Sequence, residues 1–486
     1  MTWTATPSDF RSPPTLASGN RRAPGGAGWL LPIRRLQRMA VVLGRHGFGE
    51  LASGLLRFSG LTPAGAPAAS APGARLGRRV ARVLADLGPS FVKLGQLLAT
   101  REDLLPPEIV RELAALHADV PPLAPRIVIR AVQSALGRPI SVVFPWFDPR
   151  PLAAASVGQV HRARLRSGEM VVVKVQRPGL PQVVEADLAL MRALAALLSQ
   201  VSPELGALDP PALVAGFERS IRAELDFCRE ATNARRLAEA LAGAHEVRVP
   251  RVYDEWTRPT LVVQEHVVGR RIGELDPVSA RRARQLLLRA FVQQIFEHGL
   301  FHADPHPGNL LYDEAGRLVL LDLGAVEALE PPLRRSLSRL ARAFARGRAD
   351  RLGEAVLALS PPQGAVDRPR LERDLAGLVA AADGPAPGAR VLGDMVAIGR
   401  VHRLRMPATL VALVRALALL DGVLRRLDPD RDLRADLRRE LVWAGWRRLL
   451  GLGRRLTRSP GRFVRWLGAW GARLWSLVWR FSRSRC

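Results

Sequence analysis

Two loops joined by a short hairpin constrain this chain more than any other feature. His302-Ala303-Asp304-Pro305-His306-Pro307-Gly308-Asn309 reads H-x-D-x-x-x-x-N, and Asp322-Leu323-Gly324 follows as D-x-G. Between them, the apolar runs Leu310-Leu311-Tyr312 and Leu318 to Leu321 flank the turn signal Asp313-Glu314-Ala315-Gly316. Asp and Asn supply the hard oxygen ligands that suit Mg²⁺. Phosphoryl transfer asks little covalent work of a protein and rests on positioning and on divalent ions that neutralise phosphate charge. By this spacing Asp304 orients, or takes the proton from, an attacking hydroxyl or water, while Asn309 and Asp322 hold the ion. His302 and His306 are read as braces of the loop backbone; a transition-metal site built on H-x-D-x-H is the weaker alternative.

Only two of the 72 basic side chains are lysines, Lys93 and Lys174. Arginine serves wherever charge alone is needed, but it cannot replace a compact ammonium fitted against phosphate oxygens and a carboxylate. Lys174 closes the strand Val171-Val172-Val173-Lys174, the place of the phosphate-pairing lysine on a kinase third strand; Lys93 lies in Phe91-Val92-Lys93-Leu94-Gly95-Gln96. Lys174 needs a carboxylate to fix it, and the helical stretch Glu224-Leu225-Asp226-Phe227-Cys228-Arg229-Glu230 offers three. A continuous helix would set Glu224 and Glu230 on different faces, so that one serves Lys174 and another reaches elsewhere.

Along the chain, residues 1–28 read as a tail without an apolar h-region, which predicts no export, and a helix is expected from about Trp29 to Phe58. Leu61 to Ala74 is a Pro/Gly/Ala-rich linker. Two or three helices follow over Arg75 to Leu116. Strands are expected at Ser141 to Phe144, Gly158 to Leu165, Met170 to Val175 and Leu261 to His266, around helices near 181–203 and 211–243. From Gly269 to about Leu427 the pattern is mainly helical apart from the hairpin. The predicted fold is α+β: a bilobal protein-kinase-like fold with a helical N-terminal extension and C-terminal amphipathic helices. Its parts are a tail, helix and linker (1–74), an extension carrying the K-x-G-Q element (75–140), a small lobe (141–268), a large lobe (269–430) and a basic, Trp-rich segment (431–486). A hydrophobic content of 48% supplies ample core, and two cysteines exclude a disulfide framework. The net charge of +27 decides nothing by itself, because the arginines are spread throughout.

These motifs together resemble the ABC1/AarF/UbiB family of atypical kinase-like proteins, associated with ubiquinone biosynthesis. The resemblance runs from about Val42 to Leu427. It rests on K-x-G-Q at Lys93, Gly95 and Gln96, the alanine-rich loop Ala153-Ala154-Ala155-Ser156, E-x-D at Glu224 and Asp226, and the segment from Phe301 to Asn309. It implies that the alanine-rich loop replaces a glycine-rich phosphate loop, in keeping with the lack of G-x-G-x-x-G before Lys174; taken alone, Ala153 to Ser156 reads as a helix-prone linker. The resemblance also implies that Glu230 partners Lys174 and that the K-x-G-Q helix lies over the active site as a lid, with Lys93 near Glu224 and Asp226. Lys93, Lys174, Glu230 and Asp304 are thus the expected catalytic set. Glu265, ending Leu261-Val262-Val263, would lie where the lobes meet and the backbone reaches adenine, or is an ordinary strand-end carboxylate. No A-P-E segment follows Asp322-Leu323-Gly324, which disfavours a protein substrate.

Residues 441–486 hold eleven arginines, six tryptophans and no acidic residue, with no uncharged run near the ~20 residues that span a bilayer. Helical spacing sets Phe463, Trp466, Leu467, Trp470, Leu474, Leu477, Val478 and Phe481 opposite Arg462, Arg465, Arg473, Arg480 and Arg483. This composition suits an interfacial helix on an anionic membrane, peripheral on the cytoplasmic side; a packed or dimer-interface helix is the alternative, and nucleic-acid binding is a weaker third. The expected cofactors are ATP or ADP and Mg²⁺. Expected partners are the membrane surface, an isoprenoid quinone or its precursor, other quinone-biosynthesis proteins and a second copy of the chain, with no nucleic acid. The expected activity is an atypical kinase or ATPase of unknown acceptor; the other reading is a nucleotide-switched, lipid-binding scaffold with little turnover.

Overall fold

The protein is described from a computed structural model covering residues 30–49, 74–99, 105–116, 122–201, 209–346, 348–360, 362, 364–381, 388–404, 407–429, 431 and 435–444. The expectations placed on 1–28 and on the Trp-rich stretch 445–486 lie outside these residues. In chain order come α1 (Leu30–Arg45), α2 (Ala74–Leu87), α3 (Pro89–Leu98), α4 (Pro107–Ala114), α5 (Pro125–Leu136) and the single turn α6 (Ile140–Val143). Next are β1 (Trp146–Ala154), β2 (Gly158–Arg164), β3 (Met170–Gln176), α7 (Leu180–Val201), α8 (Pro210–Leu225), α9 (Phe227–Leu241), β4 (Val247–Arg248), β5 (Leu261–Glu265) and β6 (Gly269–Arg271). The rest is α10 (Pro277–Val292), β7 (Leu300–His302), β8 (Leu310–Asp313), β9 (Leu318–Leu320), β10 (Val326–Ala328), α11 (Pro331–Ala345), α12 (Ala349–Leu359), α13 (Arg368–Ala381), α14 (Gly388–Val401) and α15 (Ala408–Leu427).

The small-lobe sheet is antiparallel in the order β1-β2-β3-β5. Alternation along β3 buries Val171, Val173 and Val175 against α5, with Val128 and Val132 completely enclosed. Lys174 therefore projects from the opposite face, between Val160 on β2 and Val262 on β5. Because α5 belongs to this core, the small lobe extends upstream of the expected boundary at 141. Two further expectations are corrected. Ser141 to Phe144 is not a strand: Pro139 precedes a helical turn, and Phe144 drops into the small-lobe core. The expected strands also pass over 146–154, where β1 forms as an edge strand whose register slips at Pro151, so a residue without an N–H is tolerated there.

The large lobe buries α10 and α15 around Phe291, Phe301, Leu310, Leu413 and Val423. β8 and β9 form the expected hairpin, with Leu310 opposite Leu320. Its turn closes through Asp313, whose Oδ1 accepts the Arg317 amide at 2.8 Å, while Gly316 takes φ +75°. The N-terminal helices form a third layer. Met39 and Leu43 of α1, Leu84 and Leu87 of α2 and Phe91 of α3 pack with Leu188 of α7 and Phe217 and Ile221 of α8. Among the described residues, no helix is long and apolar enough to cross a membrane.

Candidate active site

Lys174 is held by two carboxylates. Its Nζ lies 2.8 Å from Glu230 Oε2 and 3.3 Å from Asp322 Oδ2, with the Phe227 ring centroid at 5.2 Å. Burial alone would lower the pKa of this ammonium, but the charges of Glu230 and Asp322 outweigh it and hold Lys174 well above the ordinary lysine value. Burial also pushes the enclosed Glu230 carboxyl up, against the pull of Lys174. Asp322 is half-exposed. Burial opposes its charge too, yet the Lys174 ammonium and the Gly324 amide keep its pKa below the usual aspartate value.

Glu230 reaches Lys174 because the expected helix over 211–243 is broken. Asp226, at φ −101° and ψ 96°, ends α8 and starts α9, where its Oδ1 accepts the Cys228 amide at 3.0 Å. The Phe227 N–H crosses to Pro259 O at 3.0 Å, so the start of α9 is tied to the turn that leads into β5. The break separates the two outer carboxylates. Glu224, on the last turn of α8, takes Lys93 Nζ at 2.9 Å, while Glu230 on α9 takes Lys174. Asp226 itself serves as the helix cap. In the K-x-G-Q element, Gly95 sits where a Cβ would lie 2.5 Å from Leu116 Cδ1 and 2.9 Å from Leu84 Cδ1, so any larger residue must push these leucine side chains aside. The Gln96 amide donates to Leu116 O at 3.0 Å, so Lys93 is the member of this element that pairs with a carboxylate, Glu224 of α8.

The H-x-D-x-x-x-x-N loop leaves β7 and is pinned from behind. His302 Nδ1 lies 3.3 Å from Ala325 O, and burial keeps this imidazole below its ordinary pKa. Asn309 Nδ2 donates to Asp304 O at 3.2 Å, which leaves its Oδ1 as an open oxygen donor; the Leu321 amide donates to Asn309 O at 2.8 Å, across the hairpin. His306 Nδ1 accepts the Gly308 amide at 3.0 Å, the bracing role expected of it. Asp322 adopts φ +44°, a left-handed conformation that costs energy for a side-chain-bearing residue and marks a constrained site. Among the described residues, no group of three or more His, Cys, Asp and Glu side chains is gathered for a transition metal. The donor set does fit Mg²⁺, which takes one or two protein oxygens and leaves the rest of its octahedron to water and phosphate.

The alanine-rich stretch is a hairpin rather than a helical linker. Ala153 and Ala154 end β1, and Ala155 and Ser156 form the turn into β2, closed by Ala155 N–H to Gly158 O at 2.8 Å. Its tip is exposed and is held by Arg177 Nε on Ala155 O at 3.0 Å. At the other end of the sheet, the Glu265 carboxylate is paired with Arg248, and its N–H donates to Arg251 O at 2.8 Å.

Comparison with known proteins agrees with this geometry. A model of the ABC1 atypical kinase-like domain matches residues 115–356, and one of the UbiB helical domain matches residues 388–432. A Synechocystis chain named uncharacterized protein slr0889 is 37% identical over 361 residues, which is 70% of this chain and 88% of that one. A Pseudomonas fluorescens chain named probable protein kinase UbiB is 35% identical over 378 residues, 74% of this chain and 69% of that one. This chain belongs to the ABC1/UbiB family of atypical kinase-like proteins. Against the Pseudomonas aeruginosa relative of the same name the match is 40% identical but spans only 59% of that protein's length. Among solved structures, the complex of Rv3197 with erythromycin from Mycobacterium tuberculosis superposes with a TM-score of 0.53 at 28% identity, covering 71% of this chain and 90% of that one.

In this ABC1 chain, sequence reasoning missed three buried amides that carry no charge to draw notice. Gln176, two residues beyond Lys174 on the same face of β3, donates to Leu225 O at 2.7 Å and ties the strand to the helix break. Asn233, one turn after Glu230, donates to Leu323 O at 3.0 Å and supports the D-x-G loop. Gln294 accepts the His302 amide at 2.9 Å. Only Asn233 had a usable signal: a polar residue three positions after Glu230 shares its helical face.

Proposed function

We propose that this protein binds Mg·ATP in the cleft between its lobes and uses it as an atypical small-molecule kinase or ATPase at a membrane surface, in isoprenoid quinone metabolism. The observation that carries the nucleotide reading is the convergence of Lys174, Glu230 and Asp322. Lys174 would pair with phosphate oxygens, held by Glu230. Asn309 and Asp322 would hold Mg²⁺, which when bound spreads and neutralises phosphate charge. Asp304 would orient the acceptor hydroxyl or a water, and Ala153 to Ser156 would cover the phosphates. A protein substrate is disfavoured by the short path after the D-x-G element: β10 pairs with β7 and ends at Ala328, and α11 begins at Pro331, leaving no room for a docking loop. The quinone context rests on the family resemblance, and the membrane on the basic, Trp-rich composition of residues 441–486.

The test is phosphate release from Mg·ATP by purified protein, with and without anionic liposomes. Wild type is compared with Asp322→Asn and with a chain ending at Ala444. The cut is placed there because Ala444 is buried in the large-lobe core and Glu440 holds Arg289 at 3.3 Å. Lipid-stimulated turnover that Asp322→Asn abolishes, and that the shortened chain no longer shows, supports the reading. Tight nucleotide binding without turnover under any condition favours the switch-like scaffold instead.

A further inference from the structure

The helix that feeds the H-x-D-x-x-x-x-N loop changes its winding before it arrives. α10 stops at Val292, and the next six residues, Gln293 to His298, form a π-helix closed by Gly299 at φ +70°. Such turns widen the helix by one residue, re-aim the side chains they carry, and recur at functional sites. Here Gln294 is turned fully into the interior, with none of its surface exposed. Its Oε1 accepts the His302 N–H at 2.9 Å, which assigns the amide's orientation because a backbone donor requires an acceptor. Its Nε2 is buried with no protein partner, and so is His302 Nε2.

His302 carries the constraint onward. With Ala325 O facing Nδ1 at 3.3 Å, that nitrogen carries a proton, because a carbonyl oxygen can only accept. Ala303 N–H also donates to Ala325 O, at 2.8 Å. One glutamine oxygen thus steadies the strand from which Asp304 emerges, and that strand holds the backbone directly behind Asp322-Leu323-Gly324. We propose that Gln294 is a positioning residue that sets the relative placement of the Asp304 and Asp322 loops by holding the His302 amide. The proposal rests on the reading of those loops as the phosphoryl-transfer machinery. An apolar residue of the same size would fill the same space but strand a buried N–H in a three-residue strand.

The test uses the full chain with Gln294→Leu, with Gln294→Met as an unbranched alternative, and with Gln294→Glu, which keeps the acceptor oxygen. Hydrogen–deuterium exchange of the peptide spanning Leu300 to Asp304 is read beside ADP affinity and the phosphate-release rate. In the Leu and Met variants, exchange at this peptide should rise roughly tenfold or more while the rest of the large lobe keeps its protection. Turnover should fall by a similar factor, with Mg·ADP affinity within about threefold of wild type, and Glu should restore protection. Unchanged exchange in the Leu and Met variants, a Glu variant as unprotected as Leu, or a loss of protection spread evenly over the lobe would each overturn the proposal. Failure of wild type to bind Mg·ADP would sink the nucleotide reading alone, since the exchange comparison decides the role of Gln294 without it.

Discussion

Replacing Glu230 with glutamine isolates what the Lys174 pair contributes, because shape and one acceptor oxygen are kept while the charge is lost. At 2.8 Å and an effective dielectric near 20, the gross attraction to Lys174 is about 6 kcal/mol, and that from Asp322 at 3.3 Å is about 5 kcal/mol. Against the first stands the cost of burying Glu230, whose side chain is 5% exposed, on the order of several kcal/mol. Removing one partner of a buried pair costs ~3–5 kcal/mol when the other charge is left alone. Lys174 is not left alone: Asp322 remains, and the new amide oxygen still accepts a hydrogen bond. The expected loss of stability is therefore about 2 kcal/mol, read as a lower denaturation midpoint at unchanged slope. A second consequence concerns binding. Freed from Glu230, the ammonium moves towards Asp322 and competes with the metal for that carboxylate, so Mg·ATP affinity should drop about tenfold or more, with a rise in the Mg²⁺ needed. In a double-mutant cycle with Lys174→Met, the two changes should be non-additive by about 1 kcal/mol or more. A Glu230→Gln protein as stable as wild type, with additive effects and unaltered Mg²⁺ dependence, would refute this account of the pair.

Other expectations follow from the same geometry. Gly95→Ala forces a methyl against Leu84 and Leu116 and should cost about 1–3 kcal/mol in chemical denaturation; it should also loosen α3 and expose the Lys93–Glu224 pair to faster exchange. Gly158→Ala places its Cβ 2.5 Å from Val175 O, a backbone atom, so β2 must shift and nucleotide affinity should fall even where the protein still folds. His161, His266, His298 and His302 are all held by burial below their ordinary pKa. Below about pH 6.5 the unfolded chain binds more protons at these positions than the native one, so the contribution of these histidines to stability should rise with pH up to that value and then level off, against the opposite slope of the raised Glu230 carboxyl. A denaturation midpoint flat between pH 5 and 6.5 in Glu230→Gln would contradict it. Asp322 works at lower pH: its depressed pKa contributes stability above the usual aspartate value of 3.8 that is lost as pH falls below it, a loss absent in Asp322→Asn.

How much of this was legible depends on what each residue does. The loops around β8 and β9 could be read because turn chemistry and ligand chemistry coincide there: Asp313 and Gly316 make the turn, and Asn309 and Asp322 flank it. Lys174 was legible because alternation on β3 leaves a single charge opposite three buried valines. β1 was not, because Pro149 and Pro151 are breakers in isolation, and only the edge position supplied by the finished sheet makes them harmless. α6 failed in the other direction: Ile140, Val142 and Val143 favour a strand, but Pro139 leads into a single helical turn there, and Phe144 is buried in the small-lobe core.

The helix break at Asp226 is the most consequential miss, and its cause is local competition. Asp226 is the residue type that prefers to cap a following helix over continuing the one before it, and Pro259 O offers Phe227 a partner that a straight helix could not reach. Periodicity over 211–243 cannot register this, because the apolar pattern continues across the break through Leu225 and Phe227. The break, rather than the helical period alone, sets the directions in which the two carboxylates leave this stretch. One short stretch delivers Glu224 to the N-terminal layer and Glu230 to the small-lobe strand, and the charge of Glu224 is felt at Glu230. Asp226→Ala should therefore do more than weaken a cap. Straightening α8 into α9 would change the direction of Glu224 relative to Glu230 and draw each away from its present lysine, so both ion pairs should weaken together. The check is the protection of Lys93 and Lys174 from amine-reactive labelling, which should fall in parallel in Asp226→Ala and stay intact in Asp226→Asn, a residue that caps equally well. Loss at Lys93 alone would mean that the two pairs are held independently and that the break is only a cap.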